Sequence, residues 1–422
     1  FFNDTATTEI YTRTYTLSLH DALPIHIDFV TVMLVFGIVL LGLVMVTSAS
    51  ISMATKEGGD AFGYLLRQFT LVIVGSAFAA VMFTIRTEWL EKMALPLLAL
   101  AVVLLVLVLI PGIGHSVNGA RRWIRLAGIS IQVSEVTRVI VLVFIASYAV
   151  RREEELRSSF MGLLKPLIIL GGFFVLLLLE PDFGAATVLM VTAFGVLFIA
   201  GARLRDVAGL AVLGAAVLVF VAMSSDYRMR RLTAFRNPWL DPFDSGFQLT
   251  QSLIAIGRGG WTGVGLGESV QKLFYLPEAH TDFLFAVLAE ELGLVGILVT
   301  LALFLALAWR ALWISRLAHD SGLKFQSYLA AGFGIWVGLQ AFINIGVNMG
   351  VLPTKGLTLP FMSYGRSSLI ATLTWVGILL RVYHEAAQAS RGATAAGLRG
   401  SPAARSSTAS PARPLDTEDA LA

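Results

Sequence analysis

Ten separate stretches of about 20 mainly apolar residues run along this chain, near 27–50, 62–85, 94–113, 131–150, 163–180, 183–201, 206–224, 282–309, 327–350 and 363–381. A bilayer core of roughly 30 Å takes about 20 residues of α-helix to cross. Inside lipid, backbone polar groups must be satisfied within the element itself, which leaves only helices and closed barrels. The expected fold is therefore an all-α polytopic membrane protein of ten transmembrane helices, with a large extracytoplasmic loop at 225–281 between spans seven and eight. Composition agrees: 56% of the 422 residues are hydrophobic and 14% are charged. A soluble domain has about 45–50% apolar and about 25% charged residues. With no cysteine, disulfides, thiolate catalysis and cysteine metal sites drop out. The six histidines form no HExxH pair, and a net charge of +3 scattered between apolar runs argues against nucleic acid as a partner.

An even number of spans puts both termini on one side. Basic residues are retained on the cytoplasmic side. With the N-terminus inside, the inner loops hold eleven Lys and Arg residues and the short outer loops five, so both termini are expected in the cytoplasm. The membrane domain is read as 26–385. Residues 386–422, rich in Ala, Ser, Arg, Gly and Pro without apolar periodicity, read as a disordered cytoplasmic tail. Residues 1–25 lack the charged start and apolar core of a signal peptide and resemble translated sequencing-adapter read-through, a non-native segment.

Polar residues at bilayer depth or in outer loops are the informative ones. In span four, Glu135 and Arg138 lie three apart, on one helix face and able to pair, either as a packing device or as part of a site. The preceding NGARRWIRLAG at 118–128 carries three arginines and Trp123, which suits an interfacial anchor. The long loop contains Arg228 and Arg231, able to take phosphate as bidentate forks or to hold lipid head groups. Its Phe247, Leu249, Leu253, Ile254 and Ile256 fit a short amphipathic helix at the interface. The glycines of GRGGWTGVGLG at 257–267 look superficially like a phosphate loop, but no strand precedes them and no Lys-Ser/Thr follows, so turns are the better reading. The loop ends in LPEAHTDF, where Thr281 or Asp282 is placed to cap span eight. Glu278, His280 and Asp282 cluster there, with Lys355 on another outer loop, as suits a substrate both anionic and sugar-like. Charge that is scarce overall is dense in this loop: residues 226–282 hold twelve charged side chains in 57 positions, six of each sign.

MVTSAS (45–50), ARRWI (120–124), EPDFGAATVL (180–189), RMRRLTAFRNPWLDPFDSGFQLTQSLIAIGRGG (228–260), GVGLGESVQKLFYLPEAHTDFLFAVLAEELG (263–293) and LPTKGLTLPFMSYGRSSL (352–369) resemble the SEDS family of cell-wall polymerases, its division member more than its elongation member. The resemblance spans about 27–385. It implies a peptidoglycan glycosyltransferase that polymerises lipid II at the outer face of the bacterial cytoplasmic (inner) membrane, at the division septum. The 4-hydroxyl of one disaccharide attacks the anomeric carbon of another, and undecaprenyl pyrophosphate leaves. The family's essential aspartate falls on Asp282, as general base or as ligand to a divalent cation, Mg or Mn, with no organic cofactor. Arg228, Arg231, Lys355 and Arg138 are the implied partners of the pyrophosphate, with Glu135, Trp123, Glu278, His280 and Ser363 as further substrate contacts. Implied partners are lipid II, a class B penicillin-binding protein transpeptidase, other divisome membrane proteins and membrane lipids.

Two departures stand out. The family's SYGGSS reads Ser363-Tyr364-Gly365-Arg366-Ser367-Ser368, which adds bulk and charge beside a tight turn. In span four, Val133 and Arg138 replace the usual Pro and Lys, and Arg does not substitute freely for Lys at a coordinated site. Two other classes fit ten spans: a lipid flippase or transporter, which would show paired broken helices in inverted repeats, and a non-catalytic scaffold that recruits a transpeptidase.

Overall fold

The computed structural model describes residues 26–56, 60, 62–117, 120–126, 129–223, 235–244, 246–354 and 356–399. Its helices are α1 (Phe29–Lys56), α2 (Gly63–Thr84), α3 (Thr87–Lys92), α4 (Ala94–Leu109), α5 (Val133–Arg151), α6 (Glu153–Ser158), α7 (Phe160–Leu179), α8 (Phe183–Ile199), α9 (Leu204–Met223), α10 (Phe247–Gly259), α11 (Leu284–Asp320), α12 (Lys324–Asn348) and α13 (Arg366–Arg399). Each of the ten apolar stretches lies on one of them. Seven helices, α1, α2, α5, α7, α9, α11 and α12, are long and apolar enough to cross a bilayer. α4 and α8 are apolar but have 16 and 17 residues. α13 falls outside the seven, its apolar run diluted by Ser, Thr and Arg.

Side-chain contacts sort the helix termini into two groups. At one end Arg310 pairs with Asp28 at 2.6 Å, Lys324 pairs with Glu153 at 2.5 Å, and the Thr87 amide donates to Glu385 at 3.1 Å. At the other, Arg122 donates to the Glu180 carbonyl at 3.1 Å and the Gln132 amide donates to Ser367 Oγ at 3.1 Å. There too the Tyr364 amide donates to the His280 carbonyl at 3.0 Å. The second end carries the long loop and the chemistry. α5 and α12 are the innermost helices, 78% buried over their apolar windows, against 11% for α2 and 6% for α9. The polar residues of α5 and α12 are therefore enclosed by protein. Trp336 of α12 stacks on Trp375 of α13 at 5.0 Å between ring centroids, with Phe333 edge-on to both, which packs α13 against the inner helix α12.

The helical membrane fold is as expected, with one local feature beside it: β1 (Gly114–Val117), β2 (Ala120–Leu126) and β3 (Ile129–Gln132) form an antiparallel three-stranded sheet in the segment read as an interfacial anchor. Asn118-Gly119 separates β1 from β2 in the sequence, a dipeptide that favours hairpins, and Trp123 and Ile124 are good strand formers. Helix also continues through 386–399, residues assigned by composition to the tail. Alanine makes up much of that stretch and supports helix without needing a buried face. Residues 1–25 and 400–422 lie outside the described residues.

α11 is two helices joined at Gly293, whose φ of 63° and ψ of −158° belong to a region that essentially only glycine visits. The break frees backbone groups that the preceding glycine-rich loop takes up. Val264 and Gly265 amides donate to the Glu290 and Glu291 carbonyls at 2.9 and 3.1 Å, and Leu294 and Val295 amides donate to Gly260 and Trp261 at 3.0 and 3.2 Å. A Cβ on Gly263 would stand 2.0 Å from the Glu291 carbonyl oxygen. The glycine run thus serves close backbone packing against a broken helix, as the turn reading anticipated, and not phosphate binding.

Candidate active site

Asp282 lies one residue before Phe283, the N-cap of α11, and is half-buried. The cap position thus falls on Phe283, beyond both expected capping residues, and the Thr281 hydroxyl is used locally, donating to Glu278. No side chain of the capping residue bonds the helix, and the Ala286 amide instead donates to Asn348 Oδ1 of α12 at 3.2 Å. That corrects the capping expectation for a physical reason. The amides of a first helical turn need acceptors, and that of Ala286 has two, the Phe283 carbonyl at 3.1 Å and Asn348 from a neighbouring helix. The Asp282 carbonyl is held as well, accepting from Asn344 Nδ2 at 2.9 Å and Asn348 Nδ2 at 3.1 Å.

Across from Asp282 runs the loop 352–365. A Cβ placed on Gly356 would lie 3.2 Å from Asp282 Oδ2, so this loop passes directly over the carboxylate and a side chain there would crowd it. Asn344 Nδ2 also donates to the Leu357 carbonyl at 2.6 Å, and Gln340 Nε2 to that of Thr358 at 2.9 Å. Ser363 is buried and its Oγ accepts from the Leu359 amide at 2.9 Å, so it shapes the turn from within instead of facing the cleft. Gln68 of α2 donates to its carbonyl at 3.4 Å. His280 joins Tyr64 and Tyr364 in a ring cluster with centroids 5.3 to 5.6 Å apart, which ties the start of α2 to both loops. Glu278 is exposed, and its Oε2 accepts from Thr281 Oγ1 at 2.6 Å.

Glu135 and Arg138 do pair, at 3.1 Å, with side chains 7% and 2% exposed. The guanidinium donates to Gln340 Oε1 and lies 5.3 Å from the Trp336 ring centre. Among the described residues so deep a guanidinium connects to the facing 352–365 loop through Gln340 and the Thr358 carbonyl, and it is not exposed at an open phosphate site. Trp123 sits half-exposed on β2 opposite Gln132, with no contact to Asp282 among the described residues. Arg228, Arg231 and Lys355 lie outside the described residues. Arg366, the departure in the serine-rich turn, is exposed at the first position of α13 with no positive φ, so nothing in the backbone there demands glycine.

Sequence reading passed over Gln340, Asn344 and Asn348, although their spacing of four in an otherwise apolar helix is a legible signal of one polar face. Two acidic residues of α11, Glu290 and Glu291, are fully buried. Both are spoken for. Glu290 accepts from Ser269 Oγ at 2.5 Å and from the Val270 and Gln271 amides at 3.3 Å. Glu291 accepts from Lys272 Nζ at 2.8 Å and from Ser48. Both carboxylates pin the segment that leads to Asp282. Among the described residues no three acidic or histidine side chains converge as a metal site. Asp282 offers a hard oxygen donor, the ligand type a magnesium-like ion takes alongside its waters.

Fold and site define a polytopic membrane protein with one carboxylate set between two loops at the charged end of its helix bundle. The chain matches the model of the FtsW, RodA and SpoVE family, described as cell cycle protein, over residues 28–388, and it belongs to that family. It is 54% identical over 360 residues to the probable peptidoglycan glycosyltransferase FtsW of Thioalkalivibrio sulfidiphilus, covering 85% of this chain and 90% of that one. The protein of the same name from Legionella pneumophila is 50% identical over 351 residues, 83% of this chain and 89% of that one. Among solved structures, a chain of a peptidoglycan synthase complex that coordinates polymerization and crosslinking superposes with a TM-score of 0.71 at 30% identity, over 86% of this chain and 99% of that one. The rod shape determining protein RodA of Thermus thermophilus gives a TM-score of 0.63 at 30% identity, over 85% and 97%.

Proposed function

We propose that this chain is a peptidoglycan glycosyltransferase that polymerises lipid II during septal cell-wall synthesis, with Asp282 as general base. The acceptor's 4-hydroxyl forms the new bond to the donor's anomeric carbon. Its proton passes to the Asp282 carboxylate, and the bond to undecaprenyl pyrophosphate breaks with the electron pair leaving on the phosphate. A positioned base contributes about 10²–10⁴ in rate. The observation that carries this reading is that the half-buried Asp282 lies with its carboxylate directly beneath Gly356 of the facing loop, in a backbone frame held by Asn344 and Asn348. A divalent cation, Mg or Mn, would be held by Asp282 and substrate pyrophosphate oxygens, where it would neutralise charge developing on the leaving group. Arg228, Arg231 and Lys355 are assigned to the same pyrophosphate.

The proposed location is the inner membrane at the division septum, in line with the FtsW relatives; eleven basic residues in inner loops against five in short outer ones support cytoplasmic termini and an outward Asp282 end. A class B penicillin-binding protein transpeptidase is its proposed partner, in line with the synthase complex that it resembles, together with other divisome membrane proteins. A flippase reading loses support at Gly293. Transporters leave the backbone of a broken helix open to line a cavity, whereas here residues 260–265 occupy the break.

The test is purified protein with its cognate transpeptidase, lipid II and divalent cation. Glycan chains should form with wild type and vanish with Asp282→Ala and Asp282→Asn. Equal product from all three would refute the assignment of the base.

A further inference from the structure

Gln340, Asn344 and Asn348 recur every fourth residue of α12, so one face of an innermost helix carries three carboxamides about 6 Å apart along its axis. All three are buried at 2% exposure or less. Such groups are tolerated inside a bundle only when hydrogen-bonded, and their partners follow a pattern. Asn348 holds the N-terminus of α11 through the Ala286 amide and the Asp282 carbonyl through Nδ2. Asn344 Nδ2 spans the Asp282 carbonyl and the Leu357 carbonyl, thereby joining the two loops of the site with one NH₂ group. Gln340 extends the join to Thr358 and receives Arg138 on its other atom. Amide orientation is set by these partners: Asn348 Oδ1 must be the acceptor for Ala286, and Gln340 Oε1 the acceptor for the guanidinium. The Asp282 backbone and the loop above its carboxylate are therefore referenced to the same three side chains.

We propose that Gln340, Asn344 and Asn348 are positioning residues that set the spacing between the Asp282 carboxylate and the Gly356 loop, with the Glu135–Arg138 pair acting on that spacing through Gln340. The two loops, 74 positions apart in sequence at Asp282 and Gly356, also meet where the Tyr364 amide donates to the His280 carbonyl at 3.0 Å, but the seam bridges them at Asp282 itself. The inference rests on Asp282 being the base, as proposed above.

Its test uses the full chain with the partner transpeptidase and measures kcat and KM for lipid II together with Tm. Asn344→Ala and Asn348→Ala remove the bridge. Gly356→Ala leaves the seam intact but inserts a methyl 3.2 Å from Asp282 Oδ2 at an exposed position where folding is not at stake. Misplacing a reacting group by about 1 Å costs on the order of 10²-fold, so each variant is expected to lose about 10- to 100-fold in kcat with KM little changed, and Gly356→Ala to do so at wild-type Tm. Wild-type kcat in Gly356→Ala overturns the proposal even if the asparagine variants do not fold. So does a loss confined to KM. Full activity of Asp282→Ala would instead refute the underlying assignment of the base, a separate result.

Discussion

Lys272 and Glu291 offer the sharpest quantitative test of how the loop that leads to Asp282 is anchored. Their side chains are 6% and 0% exposed and stand 2.8 Å apart, with Ser48 Oγ within 2.9 Å of Lys272 Nζ and 2.6 Å of Glu291. Two unit charges at that separation attract by about 6 kcal/mol at an effective dielectric constant of about 20. Most of this offsets the cost of taking both ions out of water, so the pair adds little net stability as a pair. Removing one partner is different. Lys272→Met leaves Glu291 buried with only Ser48 to satisfy it, and a stranded buried charge costs about 3–5 kcal/mol. Replacing both, as Lys272→Met with Glu291→Gln, removes the stranded charge and should recover more than half of that loss. Thermal unfolding in detergent, followed by tryptophan fluorescence, reads all three. The expected order of Tm is wild type highest, the double variant next and Lys272→Met lowest. A Lys272→Met protein as stable as wild type, or a double variant less stable than the single, would refute the reasoning.

Two further outcomes follow from local geometry. Gly293→Ala adds about 1–3 kcal/mol of backbone strain at a glycine-only conformation and drives a Cβ to 2.3 Å from the Gly263 amide nitrogen; folded yield on size exclusion should fall sharply, whereas Gly257→Ala, with nothing within 4 Å, should match wild type. At the opposite end of the bundle, burial pushes the Glu385 carboxyl up, but hydrogen bonds from Thr87, Arg381 and Gln326 outweigh it and hold the group below its ordinary 4.5. Its contribution to stability is therefore present above pH 4.5 and lost as pH falls through the lower folded value. Tm measured down an acid series should drop less steeply for Glu385→Gln than for wild type, and parallel curves would count against it.

Much of the architecture was legible because the bilayer imposes a local rule. A stretch that must satisfy its own backbone and meet lipid declares itself in about 20 consecutive residues; all ten apolar stretches lie on helices, and among the described residues seven of those helices are long and apolar enough to cross a bilayer. The sheet at 114–132 escaped because three strands of 4, 7 and 4 residues give too short a pattern, although Asn118-Gly119 was a usable sign. Composition likewise could not separate an alanine-rich helical extension at 386–399 from a tail.

At the site the division is sharper. Sequence alone singled out Asp282 and the loops around Glu278, His280 and Ser363, and it placed Glu135 and Arg138 on one face of a helix. Tertiary structure decided what each does. Asn348, 62 residues from Ala286 in the chain, supplies an acceptor to the first turn of α11, where local reasoning looked to Thr281 or Asp282. Ser363 turns inward to hold its own loop, and Arg138 is spent on Glu135 and Gln340. A hydrogen-bond donor is specified by its own residue, but its acceptor is whichever group packing brings within about 3 Å, and no local pattern encodes a neighbour that arrives from another helix.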